Sequence, residues 1–194
     1  MGGNAQETVP KLSGAVQVIR GNNMRKLTVL FILLLALIGG CATGTPVVSI
    51  DKDASLSGYK AVEVTPVVNE TDTTFEFDVI GEITTQLKLN LTKAGYVVTD
   101  GGQSADDILV IRTYLLIYEP GNALQRFAVP GAGKTNCTIR SLLVNKKTGK
   151  TQGEILVPKE IGTGGLYSIG ADTRILGDVA VSVVDELKKI IKPQ

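Results

Sequence analysis

The sequence predicts an α+β fold: a two-layer sandwich in which a mixed β-sheet of about five strands carries two helices on one face, in the order β-α-β-β-β-β-α. Three observations predict it. Two segments repeat apolar residues at helical spacing, one after the first β-rich stretch and one at the C-terminal end. Five other segments are rich in β-branched residues and bounded by Gly, Pro, Asn or Asp. The longest of these has one apolar face and one mixed face, so helices are expected over one side of the sheet only.

The first strand is read in "GYKAVEVTPVV", from Gly58. In "TDTTFEFDVIGEITTQLKLNLTKAG", Val79, Ile80, Ile83, Leu87, Leu91 and Ala94 recur at helical spacing. Thr73 and Glu76 have the spacing of a capping box, and Gly95 stands where a helix C-cap wants it. "YVVTD" is a short second strand, and a strand–helix–strand start favours a parallel pair. "DDILVIRTYLLIY" is a long third strand: Leu109, Ile111, Thr113, Leu115 and Ile117 share one face, while Arg112, Tyr114 and Tyr118 share the other with Ile108, Val110 and Leu116. "EPGNALQRFAVPGAGK" is a loop by its Pro and Gly content. "TNCTIRSLLVNKKTGKTQGEILVPKEI" makes two antiparallel strands around a polar turn, Asn145 to Lys150. After the flexible link "GTGGLYSIGAD", the final helix places Ile175, Leu176, Val179, Ala180, Val183, Val184, Leu187, Ile190 and Ile191 on one stripe, with Lys188 and Lys189 near its C-terminal end, where positive charge suits the helix dipole.

Composition narrows function. The chain has 194 residues, 43% apolar and 20% charged, enough for one sizeable core. A net charge of +1 gives no reason to expect nucleic acid as a partner. There is no His, which excludes a His general base, His metal ligands and Ser-His-Asp or Cys-His catalysis. Two cysteines cannot build a Cys-only zinc site. Asp106 and Asp107 are adjacent on a strand and point to opposite faces, and Asp51 and Asp53 lack the rest of a Ca²⁺ loop. No catalytic and no metal-binding residues are expected.

The stretch "MRKLTVLFILLLALIGGC" from Met24 carries Arg25 and Lys26, then an apolar run, then Gly39 and Gly40 before Cys41. That order is an export signal, and the run is short of the roughly 20 residues a membrane-spanning helix needs. "LIGGC" resembles the bacterial lipobox. The resemblance implies cleavage between Gly40 and Cys41, a diacylglyceryl group on the Cys41 thiol and an N-acyl chain on the new terminus. No other cofactor is expected. Two or more acyl chains give stable anchoring. Ala42, in place of Asp after the lipidated Cys, implies the outer membrane of a Gram-negative bacterium. Four stretches follow: 1–23, an upstream-start extension or disordered segment, if translation begins at Met24; 24–40, the signal; 41–57, the lipidated Cys and a flexible tether; and 58–194, one domain. A tether of about 16 residues reaches on the order of 50 Å. Removing residues 1–40 takes away Lys11, Arg20, Arg25, Lys26 and Glu7 and moves the net charge from +1 to −2. Cys137, in an apolar alternation, is read as a buried inert thiol.

"AVPGAGKT", residues 128–135, fits a loose phosphate-loop pattern. A working loop lies between a buried strand and a helix. Here polar residues precede it and a strand-like run follows, so nucleotide binding is rejected and the stretch is read as a turn into a hairpin.

The lipobox, "YKAVEVTPV", "AGYVV", "ADDILVIRTYL" and "GNALQRFAVPGAGKTNCTIRSLLVNKKTGK", in this order, resemble bacterial lipoproteins of the domain-of-unknown-function 4410 family. Gly121, Arg126, Gly131, Gly133 and Thr148-Gly149 match that family's spaced glycines, arginine and turn. The resemblance covers most of residues 58 to 190 and implies no catalytic residues. The expected role is a non-enzymatic binding or assembly function at the outer membrane, with the domain facing the periplasm and an envelope protein as partner. The alternative is a stress lipoprotein that binds a small molecule or glycan. Arg112, Tyr114, Tyr118, Arg126, Gly131 and Gly133 are the expected contact surface.

Overall fold

The computed structural model of the chain describes residues 44–100, 107–129, 132–162 and 170–193, and within these every side chain but those of Arg126 and Phe127. Among the described residues the order is β1 (Val47–Ile50), β2 (Ala61–Val64), β3 (Val68–Asn69), α1 (Val79–Lys93), β4 (Val98–Thr99), β5 (Ile108–Glu119), α2 (Ala123–Ala128), β6 (Thr135–Asn145), β7 (Thr151–Ile161) and α3 (Ala171–Ile190). The strands form one mixed sheet in the order β1-β7-β6-β5-β2-β4, with β3 beside β5. The two-layer α+β architecture is the expected one. It gains β1, β3 and the short helix α2 over the five strands and two helices predicted.

Each helix follows from its apolar spacing. In α3, Ile175, Leu176, Val179, Ala180, Val183, Val184 and Leu187 are all buried. Each fully buried large side chain of this kind contributes about 1.5–3 kcal/mol relative to exposure. In α1, Val79, Ile83, Leu87 and Leu91 are buried, and both helices share one core cluster with β2, β5, β6 and β7. The start of α1 is later than Thr73 and Glu76 suggest. Asp78 is the N-cap, its carboxylate accepting from the Gly81 amide at 2.8 Å. Upstream, Asn69 accepts from the Thr71 amide at 2.9 Å and donates to the Thr73 carbonyl at 3.0 Å, a turn that competes with helix. The end is as expected: Gly95 takes φ +91, and the Gly95 and Tyr96 amides donate to Thr92 and Leu91.

Strands β2 and β4 are parallel, as are β2 and β5. Pro66, which has no N–H, separates β2 from β3, and both run along the same edge of β5. The β6–β7 hairpin is antiparallel around the predicted turn, where Asn145 accepts from the Thr148 amide and Gly149 takes φ +68.

The stretch expected as a tether, residues 41–57, departs most from expectation. From Gly44 on it belongs to the domain. β1 pairs antiparallel with β7 from Val47↔Leu156 to Ile50↔Gly153, and Val48 and Leu56 pack against the core. Three β-branched residues in "PVVSI" complete a ladder edge, and this outweighs the polar composition around them. The pairing is close: a Cβ on Gly153 would lie 2.7 Å from the Ser49 carbonyl oxygen. A Cβ on Gly44 would lie 2.6 Å from Cγ of Pro158. Residues 101–106 and 163–169, the latter most of the expected flexible link, lie outside the described residues, as do residues 1–43.

Candidate functional site

Helices α1 and α3 lie on one face of the sheet, and the opposite face carries no helix among the described residues. Register builds that face row by row. Tyr114, Arg140, Leu156 and Val47 stand side by side across β5, β6, β7 and β1. Arg112, Leu142, Glu154 and Ser49 form the next row. Arg140 is the centre of the first row: its guanidinium lies 5.2 Å from the Tyr114 ring centroid, and its Nη2 donates to Glu70 at 3.0 Å. A cation over an aromatic face is worth about 0.5–1 kcal/mol when exposed. Arg112 is exposed beside Leu142. Near the start of β5, Ile108, Val110 and Val144 form a small second cluster with Ala61 and Leu142, and the Lys146–Glu63 pair, 2.7 Å apart, stands at the same end. This face combines apolar and charged side chains.

Of the six expected contact residues, Arg112 and Tyr114 share this face. Tyr118 does not. The β5–β6 register shifts between Leu115 and Ile117, so a bulge at Leu116 reverses the alternation beyond it. Ile117 then lies on the open face opposite Thr138, and Tyr118 points into the core opposite Cys137. Tyr118 packs edge-on against Phe75 at 5.3 Å and Phe77 at 6.3 Å, and its hydroxyl donates to the Asp172 carbonyl at 3.1 Å. Burial, with Asp172 second, pushes its pKa up to about 12. Arg126 lies on α2, its side chain outside the described residues; Gly131 is outside them too. Gly133 takes φ +63, and its carbonyl accepts from the Asn122 amide at 3.0 Å, closing the loop at its base. Arg140 was absent from the expected set. Its signal was present in "TNCTIRSLLV", where it alternates against Cys137 and Ile139, but only the pairing with β5 shows which face that is.

The phosphate-loop pattern is used otherwise. The short helix α2, capped by Asn122, precedes it, and strand β6, not a helix, follows it. Lys134 pairs with Glu160 at 2.7 Å, and the buried Thr135 hydroxyl donates to the Pro120 carbonyl at 2.8 Å. The amine and hydroxyl that the pattern would give to phosphate and Mg²⁺ instead fasten the loop to β7 and to the end of β5.

Cys137 is buried, and burial pushes its thiol up to about 12, far from reactivity. Gly40 and Cys41, the expected cleavage and lipidation positions, lie outside the described residues. No described helix is long and apolar enough to cross a membrane. A cavity lined by Tyr59, Val62, Tyr96 and Leu109 has a volume of only ≈ 10 Å³, room for about one water.

Residues 70–165 match the family model described as Domain of unknown function (DUF4410). None of the curated proteins matches the chain. Among solved structures, a dodecamer of a singly substituted PelC from Paraburkholderia phytofirmans is 14% identical, with a TM-score of 0.51 over 73% of this chain and 96% of that one. Lipoprotein GNA1162 from Neisseria meningitidis is 17% identical, with a TM-score of 0.39 over 66% of this chain and 96% of that one. A minor lipoprotein from Acinetobacter baumannii is 14% identical, with a TM-score of 0.37 over 68% of this chain and 94% of that one. The likeness to the first is one of fold.

Proposed function

We propose that this chain, a member of the DUF4410 family, is a lipid-anchored envelope protein whose α+β domain binds or assembles with another envelope component and carries out no reaction itself. The observation that carries the reading is "LIGGC", which ends at Cys41, three residues ahead of Gly44, where the packed domain is already under way. Diacylglyceryl and N-acyl groups on Cys41 would hold the domain at the membrane. Ala42 favours the outer membrane, and the domain faces the periplasm in this reading.

The binding half of the proposal rests on the open sheet face. Arg112, Tyr114 and Arg140 combine aromatic area with positive charge, the residue types enriched where partners dock. The similar fold from Paraburkholderia phytofirmans is described as a dodecamer, so a second copy of this chain is the first partner to seek. A photo-crosslinking side chain placed at Arg112 in intact envelopes tests the proposal. It should yield one discrete adduct, whose mass identifies either a second copy or another envelope protein. Absence of any adduct from Arg112 and from Tyr114 would remove this face as the docking surface.

A further inference from the structure

The same end of the sheet that receives the N-terminal chain also carries a set of exposed apolar side chains. β1 runs antiparallel to β7, and the chain ahead of it lies against Pro158 at Gly44. Beyond Pro158, β7 continues three residues to Ile161. Its end adjoins the base of the β5–β6 connection: Thr135 pairs with Ile161, and Lys134 pairs with Glu160. That connection carries α2, with Leu124 80% exposed and Val129 55% exposed. At the adjoining end of β5 stand Ile117, 46% exposed, and Phe77, which is partly exposed against Tyr118.

Two residues, Ala42 and Thr43, separate Cys41 from Gly44, and the three steps between them span at most about 10 Å. The stretch of β7 from Pro158 to Ile161 is of the same length, about 10 Å at the rise of a strand. A lipidated Cys41 therefore lies within about 10 Å of Gly44 and within about 20 Å of the Ile161 end of β7, on the same end of the sheet as the β5–β6 connection. An apolar side chain that is four-fifths exposed loses most of its contact with water on entering the headgroup boundary, where interfacial helices bury their apolar faces.

We propose that α2 and the residue after it, Val129, form a membrane-contact element, with Leu124 and Val129 inserted among the lipids of the leaflet that holds Cys41. This rests on the anchoring reading above. A bilayer is favoured over a protein partner because the chain that carries Cys41 enters the domain at this same end of the sheet, which turns these side chains toward the leaflet that holds the anchor. The domain then stands on its α2 end, and its open sheet face stays free along the side.

The chain contains no Trp, so a single introduced Trp reports its own surroundings. Leu124→Trp, Val129→Trp and Val97→Trp are made in the full chain, purified from membranes and reconstituted in phosphatidylethanolamine–phosphatidylglycerol vesicles with brominated acyl chains. Val97 is the control: it is 60% exposed and precedes β4, and its carbonyl accepts from Val62, beside Leu109 at the opposite end of β5. Expected are blue-shifted emission and loss of most of it to bromine at positions 124 and 129, with neither at 97. A chain that floats with the vesicles while Leu124→Trp emits as Val97→Trp does overturns the inference and leaves the anchor standing. Blue-shifted emission at 124 without quenching means that protein covers the loop, and also overturns it. A chain that does not float overturns the anchor and this inference together.

Discussion

Thr113 and Ser141 face each other inside the core, both fully buried, with their hydroxyls 2.9 Å apart. Replacing one partner leaves the other without its hydrogen bond, which costs about 1–3 kcal/mol, whereas replacing both can be nearly neutral. Thr113→Val should therefore lower the urea midpoint clearly, and Thr113→Val with Ser141→Ala should recover much of the loss; additive losses would contradict the pairing. Cys137 and Tyr118 give a pH prediction. Burial raises the Cys137 thiol from 9.0 to about 12 and the Tyr118 hydroxyl from 10.0 to about 12. The folded state thus keeps protons that the unfolded state releases, so stability is full below pH 9 and falls as pH rises toward about 12. Denaturant titrations across this range should show the fall, and Cys137→Ala should make it shallower from its start. Residue identity alone made Cys137 legible as a buried thiol, because Asn136, Thr138 and Arg140 alternate against it. Tyr118 was not legible, since alternation counted through Leu116 assumes a regular strand, and the bulge there turns Tyr118 inward.

Among the elements, the long periodic ones were legible, as was the short strand β4 in "YVVTD"; β1, β3 and α2 were not. α3, α1, β5 and the β6–β7 hairpin were all read from spacing and turn residues. β3 has two residues, too few for periodicity to speak. β1 was hidden by its polar flanks: "PVVSI" becomes a strand only because β7 offers an unpaired edge, a fact of tertiary structure. The close approach at Gly153 makes this testable. Gly153→Val should push β1 off β7, and limited proteolysis should then cut within residues 44–57 while the rest of the domain resists. Equal resistance in both proteins would mean β1 tolerates a side chain there. For α1, Asp78→Ala should cost about 1 kcal/mol, the usual worth of an N-cap. Thr73→Ala and Glu76→Ala should cost nothing measurable in the same thermal melts, because the helix starts after them.

At the scale of the whole molecule, the sheet and its two covering helices were legible because each announces itself by its period. The open sheet face was legible only in part. Arg112 and Tyr114 were found on their strand, but Arg140 and Glu70 join them through pairing between segments 70 residues apart. The glycine-rich stretch before β6 shows the same division. Its resemblance to a phosphate loop was rejected on the strand that follows, and the structure adds the use of Lys134 as a brace to Glu160. That pair is half-exposed, and such pairs are worth about 0–1 kcal/mol. Lys134→Ala should leave both folding and membrane attachment essentially unchanged. The account as a whole stands on the chemistry of one residue, Cys41. Mass spectrometry of the amino-terminal peptide from protein extracted out of membranes tests it most directly. The predicted peptide begins at Cys41 and carries the diacylglyceryl and N-acyl mass. A peptide with an unmodified Cys41 thiol, or one that runs through Gly40 into Cys41 uncut, would contradict the account.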